Sequence, residues 1–67
     1  MTIDEAIARM RELLAGLIGA GCGGTALARQ ARDMLAAAER GDLEDWRDGG
    51  ADSLMAEIEW ALAEAVP

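Results

Sequence analysis

The sequence has no histidine, lysine, tyrosine or phenylalanine, and only one cysteine and one proline. Without histidine, lysine or tyrosine the chain lacks the usual general bases and Schiff-base amines, so the expectation is a protein that is not an enzyme. A lone Cys22 cannot close an intramolecular disulfide. With no histidine beside it, no zinc site of ordinary ligand type can be assembled either, so no metal and no cofactor is expected. Long hydrophobic runs are missing as well. The uncharged stretch from Leu13 to Ala28 is glycine-rich and falls short of the about 20 apolar residues that a membrane span needs. Asp4, Glu5 and Glu12 occupy the region where a signal peptide is basic, so a cytoplasmic protein with a reduced thiol is expected.

What is present is acid, alanine and glycine in a chain of 67 residues, which is room for a single helical domain over residues 1–67. A chain this short buries only about 60% of its unfolded surface, so without disulfide or metal a partner or a homodimer becomes a means of stabilisation. Thirteen carboxylates oppose six arginines, for a formal net charge of −7. Residues 1–38 balance, with Asp4, Glu5, Glu12 and Asp33 against Arg9, Arg11, Arg29 and Arg32. From Glu39 onward nine acids meet only Arg40 and Arg47, so the whole excess lies in the second half. Such a half attracts a basic protein surface and disfavours direct binding to nucleic acid.

Apolar periodicity predicts an all-α protein, a small three-helix bundle with glycine-rich turns. Thr2 and Glu5 have the spacing of a capping box and start a helix over about residues 3–18. Ile3, Ala6, Ile7, Met10, Leu13, Leu14, Leu17 and Ile18 share one face of it, and Glu5 and Arg9 stand at i,i+4. Thr25 caps a second helix over 26–40, with Leu27, Ala31, Met34, Leu35 and Ala38 inward and Gly41 as its left-handed terminator. Residues 42–47 have room for one extra helical turn. Asp52 or Ser53 caps a third helix over 53–65, whose inner face carries Leu54, Met55, Ile58, Ala61, Leu62 and Ala65. The expected core is Ile7, Met10, Leu14, Leu17, Leu27, Met34, Leu35, Leu54, Ile58 and Leu62.

Two strings carry resemblances to known families. Gly19-Ala-Gly-Cys-Gly-Gly24 fits G-x-G-x-x-G and resembles the dinucleotide-binding fingerprint of flavin and nicotinamide enzymes, which needs a preceding strand. The segment before it has helical periodicity, so an interhelical turn is the reading taken. Gly50-Ala-Asp-Ser-Leu54 resembles the attachment motif of acyl and peptidyl carrier proteins, and Thr2-Ile-Asp-Glu5 is similar to a carrier-protein start. That resemblance implies Ser53 as the residue carrying phosphopantetheine, with Asp52 and Leu54 as recognition neighbours. The other reading of Ser53 is a helix cap. Asp42, Glu44, Asp45, Asp48 and Asp52 fit no register of an EF-hand loop.

Trp60 points about 160° away from the middle of the face formed by Leu54, Ile58 and Leu62, between Glu57, Ala63 and Glu64. An indole on an acidic face calls for a cover, supplied either by Trp46 and the connector or by a partner. The expected partner-binding residues are Asp42, Glu44, Asp45, Trp46, Asp48, Glu57, Trp60 and Glu64. The functional expectation is a non-enzymatic inhibitor or adaptor that binds a basic protein. In size and charge the chain is similar to the small inhibitors that phages and mobile elements direct against nucleases and defence complexes. The alternatives are a divergent carrier protein modified on Ser53 and a structural helical homodimer.

Overall fold

A computed structural model describes residues 2–65, and these form an all-α bundle of three long helices and one short one. The helices are α1 (Ile3–Gly19), α2 (Ala26–Glu39), α3 (Glu44–Arg47) and α4 (Gly50–Ala65). α1 packs against α2 and α4, α2 against α4, and α3 lies across the α1 and α4 surfaces. No strand occurs among the described residues, and no helix of theirs is long and apolar enough to cross a membrane.

The helix ends follow local side-chain chemistry. The Glu5 amide donates to Thr2 Oγ1 (3.2 Å) and the Thr2 amide donates back to Glu5 Oε1 (3.3 Å), closing the capping box. The Ala28 amide donates to Thr25 Oγ1 (3.4 Å) at the start of α2. α1 and α2 end alike. The Cys22 amide reaches back to Leu17 O (2.8 Å) and the Asp42 amide to Ala37 O (2.9 Å), with Gly21 (φ 81°) and Gly41 (φ 84°) supplying the left-handed residue. The glycine string at 19–24 is therefore a helix terminator followed by a turn, preceded by a helix where the dinucleotide fingerprint needs a strand.

Two local expectations are corrected. α4 begins at Gly50, so Ser53 and Asp52 lie inside its first turn and neither caps it. The Ser53 amide donates to Gly49 O (3.2 Å), and Asp48 Oδ1 accepts from the Gly50 amide (3.0 Å). Gly49 (φ 91°) makes the bend between α3 and α4 that permits this early start. The Glu5–Arg9 pair does not form, because Glu5 is held by Thr2. Arg9 instead bridges Glu12 (3.3 Å) and, across the bundle, Glu59 (3.0 Å).

The core is built from Ala6, Met10, Leu13 and Leu17 of α1, Ala28 and Ala31 of α2, Trp46 of α3, and Ala51, Leu54, Met55 and Ile58 of α4. The expected core was partly out of phase. Leu13 replaces Leu14 at the centre of α1, and the alanines of α2 replace Leu27, Met34 and Leu35, which are half-buried alongside. Ile7 and Leu62 are likewise half-buried, and Ile18, placed on the inner face by periodicity, is 52% exposed. Small residues at the centre of α2 let the helices approach closely. At Gly16, α1 and α4 also lie close, since a Cβ there would stand 3.3 Å from Leu62 Cδ1.

The capping box makes a pH-dependent prediction. Hydrogen bonds from the Thr2 side chain and backbone lower the pKa of Glu5, so its carboxylate favours the folded state. A lowered folded-state pKa contributes stability above the unfolded value and loses it as pH falls through the folded value. Thr2→Ala is expected to cost about 0.5–2 kcal/mol at neutral pH. The gap between the wild-type and Thr2→Ala melting curves should narrow in acid below the ordinary carboxylate range. An unchanged gap would show that Glu5 takes no part in the cap.

Candidate protein-binding surface

The phase of α4 decides which of its side chains reach the surface. Burying Leu54 and Ile58, with Met55 and Ala51 beside them, leaves Ser53, Ala56, Glu57, Trp60 and Glu64 outward. Trp60 is 69% exposed, the largest apolar side chain outside the core among the described residues. It stands on the wall of an open apolar groove between α2 and α4, lined by Leu27, Ala56, Glu57, Trp60 and Ala61. Two of its lining residues are alanines, so little side-chain volume fills the space beside the indole.

Glu57 and Glu64 lie one turn before and one turn after Trp60 on the same side of the helix, about 10.5 Å apart along its axis at 1.5 Å per residue. Neither makes a salt bridge among the described residues. Glu59, by contrast, faces α1. It holds the Arg9 guanidinium, whose pKa is raised by the hydrogen bond to Glu59 and then by the one to Glu12. The groove side of α4 thus keeps its negative charge while the opposite side is compensated.

The residues expected to bind a partner separate into three groups. Glu57 and Trp60 line the groove, and Glu64 lies one turn beyond Trp60 on the same side of α4. Asp42, Glu44, Asp45 and Asp48 are exposed on α3 and its flanks, beside the start of α4 and about 15 Å from Trp60 along the helix. Two of these have local backbone duties, Asp42 Oδ1 accepting from the Glu44 amide (3.4 Å) and Asp48 Oδ1 from Gly50. Trp46 belongs to neither set. It is 7% exposed, and its Nε1 donates to Met34 O (3.2 Å) on α2. An indole can bury its large apolar body once its N–H has an acceptor, so Trp46 is a core residue and not a surface contact. It does not cover Trp60.

Leu27, Ala56 and Ala61 are not recognisable from sequence as surface-groove residues, because the groove exists only where α2 meets α4. Ser53 is exposed on the first turn of α4. Cys22 is half-buried, with its Sγ 3.9 Å from Ala20 O. Among the described residues no cluster of three acidic or cysteine side chains is arranged to hold a metal ion. The chain matches no protein-family model, no curated protein and no solved structure.

Proposed function

We propose that the protein is a non-enzymatic interaction module, an acidic inhibitor or adaptor that binds a basic protein surface through the groove side of α4. The observation that carries this reading is Trp60, 69% exposed beside an apolar groove and flanked by two carboxylates without an ion pair among the described residues. Exposed aromatics of this kind anchor interfaces, because they bury much area at little cost in side-chain entropy. The surrounding acids set the sign of the partner.

The test compares three immobilised baits in lysate from the source cells: the wild type, Trp60→Ala, and the double variant Glu57→Gln with Glu64→Gln. A basic protein retained by the wild type and lost from both variants is the expected result. Equal retention by all three would overturn the proposed surface. The exposure of Ser53 favours, as a second reading, a carrier protein modified there. A phosphopantetheine adduct in the intact mass, after co-expression with a transferase, would establish that reading instead.

A further inference from the structure

We infer that the occupant of the groove is an α-helix of the partner, presenting an aliphatic side chain between arginines or lysines spaced seven residues apart. This rests on the interaction reading above and specifies the chemistry that the groove would recognise.

The groove lies between α2 and α4, lined by Leu27 of the first helix and by Ala56, Glu57, Trp60 and Ala61 of the second. Such a trough accepts a cylinder with a ridge of side chains. An extended strand has nothing to pair with, since the walls are helices whose backbone groups are already bonded along their own axes. The small side chains of Ala56 and Ala61 leave room for an aliphatic side chain beside the indole.

Charge fixes the register. Glu57 and Glu64 are two helical turns apart and bracket Trp60, so a docked helix running along α4 meets them with its own residues i and i+7, which repeat at the same spacing of about 10.5 Å. Basic side chains at those two positions pair with both carboxylates while residue i+3 or i+4 faces the groove. A second copy of this chain does not satisfy the pattern. Two such faces related by a two-fold axis would bring Glu57 and Glu64 against the same acids, with a net charge of −7 on each protein. A nucleic acid is repelled for the same reason.

The experiment uses a synthetic alanine-rich peptide of about 15 residues, long enough for helix formation. It carries arginine at i and i+7 and leucine at i+3 and i+4, and is titrated into the full chain and followed by amide and indole NMR shifts. Shifts centred on Ala56, Glu57, Trp60 and Ala61 are expected. Trp60→Ala should weaken binding roughly 30-fold, the scale of an interface hot spot. Glu57→Arg with Glu64→Arg should abolish it, and a peptide with glutamates in place of its arginines should bind that double variant again. The charge swap decides the matter should Trp60→Ala fail to fold.

Absence of saturable binding, equal binding by a proline-interrupted peptide of the same composition, or failure of the charge swap would overturn the helix-in-groove inference. The two proposals fail separately. A basic partner captured in a Trp60-dependent way, together with a peptide that does not bind, removes the helical occupant and leaves the interaction module.

Discussion

Replacing Trp46 by alanine is expected to remove a large part of the protein's stability. Truncating a buried aromatic side chain costs about 3–5 kcal/mol through lost burial and the cavity left behind. A domain of this size holds on the order of 3–10 kcal/mol in total, at 0.05–0.15 kcal/mol per residue. Trp46 is also what ties the connector to the bundle: α3 has one turn, no side-chain cap at its start, and this indole donating to the Met34 carbonyl on α2. Without it the connector keeps only half-buried Leu43 and the local bonds of Asp42 and Asp48, and an isolated single turn is far below the length at which helices persist. Urea denaturation followed by far-ultraviolet circular dichroism measures the loss. Trp46→Phe should lose much less, since it keeps most of the apolar body and gives up the N–H donor, whose net worth is about 1 kcal/mol. A midpoint unchanged in Trp46→Ala would mean that the connector contributes nothing to the core.

Trp60→Ala is expected to do the reverse, leaving the fold intact and weakening the binding. Its side chain is mostly in solvent, and surface substitutions away from special features usually fall within about 0.5 kcal/mol. At the interface the same truncation should cost about 2 kcal/mol or more, appearing as faster dissociation with the association rate nearly intact. The acids near α3 behave oppositely. Neutralising Asp42, Glu44, Asp45 and Asp48 together should slow association and flatten its salt dependence, because exposed charges that do not line the groove act by steering more than by contact. Surface plasmon resonance against the captured partner separates the two effects. Loss confined to the association rate in Trp60→Ala would show that the indole is not buried in the complex.

What was legible in the sequence is what is decided within a few residues. Thr2 with Glu5, Thr25 and Gly41 announce their roles because capping and termination involve one turn of chain, and the structure has all three as expected. The start of α4 misleads for the same local reason. Asp52 and Ser53 are strong capping residues, yet Gly49 at φ 91° and the Asp48 side chain let the helix begin three residues earlier. The Arg9–Glu59 pair is not legible from neighbours, since the two residues are 50 positions apart in sequence.

The choice of Leu13 over Leu14 as a core centre has a comparable origin. Both sit on one apolar stripe, and only the placement of α2 and α4 determines which is covered. Trp46 was hidden by its setting, because a run of acids around an aromatic looks solvated until Met34 is seen to supply an acceptor. Trp60 was legible because its phase on α4 opposes the apolar face, a property of the helix alone. The groove beside it was not, as Leu27 comes from another helix.

The two indoles also divide the optical spectrum of the protein between them. With no tyrosine or phenylalanine present, all near-ultraviolet absorption by aromatic side chains and all intrinsic fluorescence come from Trp46 and Trp60. One is enclosed and hydrogen-bonded in the core and the other faces water beside the groove. The enclosed indole emits as a reporter of folding, and the exposed one is open to quenchers such as iodide until something shields it. Unfolding and occupancy of the groove can therefore be followed as separate signals in one cuvette, with no dye attached.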